Sequence, residues 1–79
     1  MPDKSQERQI RKSRVLSMLI AAAKDGLDRN GLIGAQVLEY GISRQTATAL
    51  LNDLTIAGLA SSRYGRMRIT EKGRRSVIG

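Results

Sequence analysis

The feature that most constrains this chain is a helical stripe of apolar residues that ends at a glycine and precedes two short alternating segments. Four residues recur at the i, i+3, i+4 and i+7 positions of one helix face: Ala47, Leu50, Leu51 and Leu54. Ser43 stands before them, where its hydroxyl can accept a hydrogen bond from an amide of the first turn. Gly58 stands after them and tolerates the left-handed backbone that closes many helices. The pattern predicts a core-facing helix over about residues 43–57.

The segments after this helix have the pattern of a β-hairpin. Residues 59–64 and 67–70 read as short strands, and the Gly-Arg pair at 65 and 66 reads as the turn between them. The TEKG sequence at residues 70–73 then begins a short C-terminal helix.

The chain before this region predicts two further helices. A long helix is expected over residues 6–24, preceded by a frayed segment at residues 1–5. Residues 27–31 are expected to form a loop, because the Asn-Gly pair at 30 and 31 is a turn signal. A shorter helix follows over residues 32–40, with a tight turn into the next helix. Three of its apolar side chains are expected to point inward: Ile33, Val37 and Leu38.

Together these elements resemble the winged helix-turn-helix family of DNA-binding proteins, especially its small archaeal members and their MarR- and PadR-like relatives. The resemblance covers roughly residues 10–78 and rests on Ser43, on Gly58-Leu59, on the arginine-rich hairpin and on the TEKG sequence. It implies a mainly α fold with a small β-hairpin (α+β): three core helices, a wing and a short C-terminal helix. It also implies a DNA-binding domain over residues 10–79, preceded by a basic extension at residues 1–9 that starts the first helix.

Charge independently favours a polyanionic partner. Lys and Arg number 14 against 7 acidic residues, for a net charge of +7 on a chain with room for one domain. A membrane is the weaker choice, because no apolar run approaches the ~20 residues that span a bilayer. Trp and Phe, which anchor interfacial helices, are also absent from the sequence. The polar N-terminus does not resemble a secretory signal, so we expect a cytoplasmic, nucleoid-associated protein.

The residue types needed for most catalysis are missing. The chain has no Cys and no His, which excludes disulfides, Cys/His zinc sites and the commonest general base near neutral pH. The carboxylates are scattered among different predicted elements, and the glycines do not form a phosphate-binding loop because the Lys-Ser/Thr ending is absent. We therefore expect no enzymatic activity, no cofactor, no metal and no small-molecule ligand.

Two sets of residues are candidates for direct contact with duplex DNA. On the predicted recognition helix the polar candidates are Ser43, Arg44, Gln45, Thr46, Thr48 and Asn52. Their donors and acceptors suit base edges and phosphates in the major groove, although a solvated polar face is the alternative interpretation. In the wing, at residues 60–70, the candidates are Arg63, Tyr64, Arg66 and Arg68. Arginines there can reach phosphates or a narrow minor groove, or can protect an exposed edge strand from aggregation. Tyr64 either packs against the hairpin or bonds a phosphate.

Two further sets have less specific roles. The candidates for added contacts to the DNA backbone are Arg11, Lys12, Arg14 and Lys72. The first helix is apolar around more than half its circumference near residues 18–23, which indicates either a central core helix or a dimer interface. The candidates for a dimer interface are Ile10, Met18 and Ala22.

The sequence therefore predicts a double-stranded DNA-binding transcriptional regulator that acts as a homodimer. Two alternatives remain open: a non-specific architectural DNA-binding protein, and a winged-helix adaptor between proteins. RNA binding is a weaker possibility, because the chain lacks the exposed aromatic residues that stack on single-stranded bases.

Overall fold

The structure is a computed structural model that describes residues 4–22 and 25–78. In this part the chain is mainly helical, with four helices and one antiparallel sheet of three short strands. The elements in chain order are α1 (Lys4–Ala22), β1 (Leu27–Asp28), α2 (Arg29–Tyr40), α3 (Arg44–Ile56), β2 (Ala60–Arg63), β3 (Arg66–Ile69) and α4 (Glu71–Ile78). The expected α+β class, with mostly helices and a small β part, is confirmed.

One apolar core joins the first three helices to the sheet. Its buried members are Val15, Leu16, Leu19, Leu32, Ile33, Ala47, Leu50, Leu51, Leu54, Leu59, Ala60 and Met67. All four residues of the predicted stripe on α3 belong to it, and Ala47 and Leu51 are fully buried. The periodicity of α3 therefore predicted its core face correctly.

Both ends of α3 follow the sequence signals. The Ser43 hydroxyl oxygen accepts a hydrogen bond from the Thr46 amide at 3.1 Å, which makes Ser43 the N-cap. At the other end Gly58 adopts a φ of +78°, and the Leu59 amide donates to the Leu54 carbonyl at 2.9 Å. The helix lies within one residue of the predicted span at each end.

The prediction of a loop at residues 27–31 is wrong. Leu27 and Asp28 form β1, which pairs with β3, and α2 begins at Arg29 rather than at residue 32. The cause is Asp28, whose carboxylate accepts a hydrogen bond from the Gly31 amide at 2.9 Å and so caps the helix. The N-cap prevails over the Asn-Gly turn signal, and Gly31 lies in the first turn of α2.

The inward orientation expected for Leu38 is also wrong. Its side chain is 89% exposed, whereas Ile33 is buried and Val37 packs against the core from a half-buried position. The inward position nearest to it is taken by Gln36, which is only 4% exposed. Hydrophobicity alone assigned Leu38 to the core, but the helical phase set by Leu32 and Ile33 turns it outward.

The hairpin is present, with its turn one residue earlier than expected. β2 and β3 pair from Ala60↔Ile69 to Arg63↔Arg66, so the turn is Tyr64-Gly65. Both turn residues have positive φ, +54° and +75°, as a two-residue turn of type I′ requires. Within the sheet β3 lies between β1 and β2.

The first helix begins at Lys4, two residues before the predicted start. The predicted end of this helix, residue 24, lies outside the described residues, as do residues 1–3 of the segment expected to be frayed. Residues 4 and 5 of that segment are helical. None of the helices in the described ranges is long and apolar enough to cross a membrane.

Candidate nucleic-acid interface

The exposed side of α3 presents a continuous line of residues opposite the buried stripe. Gln45, Ala49, Asn52 and Ile56 follow one another at intervals of four, three and four residues, and all are exposed. We call these four residues the outward stripe. Ile56, at its end, is 83% exposed and is its one large apolar member, which sequence analysis did not identify.

Several predicted base-reading residues already have partners within the protein. The hydroxyls of Ser43 and Thr46 share a hydrogen bond of 2.9 Å, and the Thr48 hydroxyl donates to the Arg44 carbonyl at 2.7 Å. Within the described residues, the side chains of Arg44 and Gln45 have no partner. These two exposed side chains near the start of α3 are therefore the readiest donors and acceptors on the helix.

One face of the hairpin is crowded with arginines. The β2–β3 register places Ser61 opposite Arg68 and Arg63 opposite Arg66, and all four side chains are exposed. We call this the arginine face. On the other side of β3 Met67 is fully buried, so the alternation of the strand separates the arginines from the core. Like charges that face each other across a sheet repel, so this face is suited to an anion.

The arginines of this face differ in how they are held. The Arg66 side chain donates to the carbonyls of Asp25 and Gly26 at 3.0 and 3.3 Å, which ties β3 to the segment before β1. Among the described residues, neither Arg63 nor Arg68 has an acidic or hydrogen-bonding partner for its guanidinium. Tyr64, at the turn, is 96% exposed and so does not pack against the hairpin.

Arg29 connects the hairpin to α3, and sequence analysis missed it. Its amide donates to the carbonyl of Gly65 in the hairpin turn at 2.8 Å. Its guanidinium donates to the side-chain oxygen of Asn52 on the outward stripe. The available signal was the Asp-Arg pair at 28 and 29, because a capping Asp places the following residue at a helix start. One residue thus fixes the turn of the hairpin and a polar group on α3.

The basic residues expected to add backbone contacts do not form one surface. Arg11 is only 8% exposed, and its Nε and Nη1 atoms are buried with no hydrogen-bond partner among the described residues, so it is not available to a phosphate. This expectation is corrected: Arg11 lies one turn before buried Val15, on the side of α1 that faces the interior. The Nε atom of Arg14 lies 3.8 Å from the Oε1 atom of Glu39 on α2. The Lys72 ammonium donates to the Ala57 carbonyl at the end of α3, at 2.8 Å.

An ion pair neutralises the one acidic residue of α3. Asp53 pairs with Arg8 of α1, and half-buried Lys12 lines the same shallow cleft. Because this carboxylate is paired, its repulsion of an approaching phosphate is reduced.

The candidates for a dimer interface differ in exposure. Ile10 is 56% exposed, whereas Met18 and Ala22 are half-buried and Met18 packs against the core. Other exposed apolar residues are Leu38 on α2, Ile56 on α3 and Val77 on α4. Of the three predicted candidates, Ile10 is therefore the one most accessible to a second subunit.

Comparisons add no relative to this description. Neither the family models, nor the curated proteins, nor the solved structures contain a match to this chain. Within the described residues no cluster of acidic side chains could hold a metal ion.

Proposed function

We propose that this protein is a winged helix-turn-helix transcriptional regulator that binds double-stranded DNA. In this proposal α2 and α3 form the helix-turn-helix, and α3 lies in the major groove. The β2–β3 hairpin is the wing and contacts the phosphate backbone or the minor groove. The element order and the three-stranded sheet support the assignment, because a hairpin follows the second helix of the pair directly.

The observation that carries the proposal is the arginine face. Each strand of the hairpin has four residues, and three arginines lie on one side of it. In the described part of the chain none of these arginines pairs with a carboxylate. Phosphate oxygens are strong acceptors for guanidinium donors, and duplex DNA presents them at close, regular spacing. A partner with this charge density relieves the repulsion between Arg63 and Arg66.

The outward stripe of α3 supplies the second contact surface. An α-helix fits the major groove, where each base pair shows a distinct pattern of donors and acceptors. Gln45 is the best candidate for base readout because it is exposed and without a partner in the described region. The bond from Arg29 to Gly65 keeps the hairpin turn close to the start of α2, which holds the two contact surfaces in a fixed relation.

A homodimer in the cytoplasm, associated with the nucleoid, completes the proposal. Exposed Ile10 on α1 is the candidate contact for a second subunit. Sedimentation at micromolar concentration should detect a dimer, and Ile10→Glu should shift it towards monomer without unfolding, because the side chain is outside the core. A wild-type protein that stays monomeric at high concentration would refute the dimer.

A second candidate function is non-specific, architectural DNA binding. It is favoured by the internal hydrogen bonds of Thr46 and Thr48, which reduce the number of side chains free to read bases. The two functions differ in how affinity depends on sequence, and not in overall affinity.

The deciding experiment selects preferred sites from a random duplex library and then measures affinity for a selected and a scrambled duplex at two salt concentrations. A regulator should enrich a motif, and Gln45→Ala should weaken binding to it by ~1–3 kcal/mol while scrambled DNA is barely affected. Enrichment without a motif would favour the architectural function. No binding to any duplex at low salt would overturn DNA binding and leave the protein adaptor.

A further inference from the structure

We propose that Arg29 is a positioning residue that makes Asn52 read DNA mainly as a hydrogen-bond donor, so that the site prefers guanine over adenine at the base pair facing Asn52. The inference rests on the proposed function, since it assumes that α3 lies in the major groove. It adds a base preference and a residue outside the groove-facing helix that sets it.

The hydrogen bond between Arg29 and Asn52 determines which atom of the Asn52 amide faces Arg29. A guanidinium has only donors, so the atom of Asn52 that bonds to Arg29 must be the side-chain oxygen, Oδ1. The amide nitrogen Nδ2, with its two N–H groups, is therefore turned away from Arg29. Asn52 belongs to the exposed outward stripe, so these donors are available to a ligand in front of α3.

The start of α2 holds Arg29 in place. The residue begins α2, directly after the N-cap Asp28, and its own amide is bonded to the Gly65 carbonyl at 2.8 Å. Its side chain is half-buried, and the Nε atom is fully enclosed. Arg29 thus approaches Asn52 from a fixed helix start, so the amide orientation is set before any ligand binds.

The base preference follows from the donors and acceptors that each base presents in the major groove. The usual recognition of adenine by Asn needs both amide atoms, because Oδ1 accepts from N6 while Nδ2 donates to N7. Arg29 takes one of the two lone pairs of Oδ1 and fixes the amide plane, so Oδ1 accepts less readily from adenine N6, while both donors of Nδ2 remain. Guanine offers these donors two acceptors, O6 and N7, whereas adenine offers only N7 and thymine only O4. Cytosine presents a donor at N4, which Nδ2 cannot accept. The cation also polarises the amide, which strengthens its donors.

The experiment is enrichment from a random duplex library with four proteins: wild type, Asn52→Ala, Arg29→Met and Arg29→Lys. Asn52→Ala locates the base pair that Asn52 faces, because preference is lost there. Wild type should show guanine at that position. Arg29→Met, which keeps the backbone amide but removes the donors, should shift the preference towards adenine by about tenfold, the lower part of the range for one bidentate contact. Arg29→Lys restores a donor-only cation and should restore guanine.

A matched control separates the loss of charge from the loss of orientation. Arg63→Met also removes one positive charge from the same side of the molecule, and should weaken all duplexes equally without changing the motif. Thermal unfolding of each variant checks that the fold persists. If Arg29→Met does not fold, Arg29→Ala, which also keeps the backbone amide and removes the donors, takes its place in the comparison.

Three results would overturn it. An A·T pair at the Asn52-dependent position of wild type refutes preferential reading by the donors, while leaving the proposed function intact. A folded Arg29→Met with the wild-type motif refutes the role of Arg29 alone. A wild type that enriches no motif refutes this inference together with sequence-specific regulation.

Discussion

Two polar regions close together in sequence behave in opposite ways. The first, which we call the α4 junction, comprises residues 57–59 and 70–73, where the end of α3 meets the start of α4. There the Thr70 hydroxyl donates to the Gly58 carbonyl at 2.6 Å and accepts from the Gly73 amide at 3.0 Å. The second region is the arginine face, where Arg63 and Arg68 have no such partners within the described residues.

The comparison distinguishes polar groups that stabilise the fold from polar groups that are accessible to a ligand. In the α4 junction the donors and acceptors satisfy one another, so the stability of the domain depends on them. On the arginine face the exposed guanidinium groups of Arg63 and Arg68 have no acceptor among the described residues, so an external anion is their natural acceptor. Substitutions in the junction should therefore change unfolding, and substitutions on the arginine face should change binding.

The largest expected effect is the loss of the close packing at Gly73. A Cβ there would lie 2.1 Å from the Leu59 carbonyl oxygen and 2.7 Å from Ile69 Cδ1, so Gly73→Ala forces the backbone of α4 away from Leu59 and Ile69. We expect a loss of about 3 kcal/mol in the free energy of unfolding, measured by chemical denaturation.

Gly34→Ala is the matched control for that prediction. Gly34 lies in the middle of α2, and a Cβ there would meet nothing within 4 Å. The same substitution should stabilise the protein by about 0.5–1 kcal/mol, because alanine favours helices. Equal unfolding of the two variants would contradict the packing described for the junction.

The second prediction concerns the Thr70 hydroxyl. Thr70→Val keeps the shape of the side chain and removes both hydrogen bonds, which leaves the half-buried Gly58 carbonyl and the Gly73 amide without partners. We expect a loss of about 2 kcal/mol in unfolding free energy. Thr70→Ser keeps the hydroxyl and should remain close to wild type. A Val variant as stable as the Ser variant would show that these bonds contribute nothing.

These two regions also show what the sequence could reveal. The order of the helices and the hairpin and the core face of α3 were predictable, because periodicity, Ser43 and Gly58 are local signals, whereas β1 was expected to be a loop. The turn at Tyr64-Gly65 was missed by one residue, since a bulky residue at a φ of +54° is rare and no local rule favours it.

The candidate site was less predictable than the fold. Composition identified the arginines of the hairpin, but the register that places Arg63 opposite Arg66 exists only once the strands pair. The burial of Arg11 and the bond from Arg29 to Asn52 depend on how helices pack, which is a tertiary property. Polar residues with long side chains are therefore the ones whose roles the sequence leaves undetermined.

The third prediction tests the arginine face through salt dependence. Arg68→Met should flatten the slope of log affinity against log salt by about 0.9, the value for one phosphate contact, with stability unchanged. Arg66→Met should flatten the slope similarly and also destabilise the protein, because it releases the carbonyls of Asp25 and Gly26. Mobility-shift titrations at several salt concentrations measure the slopes. Unaltered slopes in both variants would refute phosphate contact by this face.

The smallest expected effect is at the hairpin turn, where stability and binding should change in opposite directions. Tyr64 is 96% exposed and adopts a φ of +54°, so its ring adds no packing and its backbone is strained. Asn is well suited to this position of a type I′ turn, and Tyr64→Asn should stabilise the protein by about 0.5 kcal/mol in thermal unfolding. The same variant should bind duplex DNA several-fold more weakly if the Tyr64 hydroxyl bonds a phosphate. Tyr64→Phe removes only the hydroxyl, so it should lower affinity equally while leaving stability unchanged. A Phe variant that binds like wild type would remove Tyr64 from the interface and leave the arginines as the contacts of the hairpin.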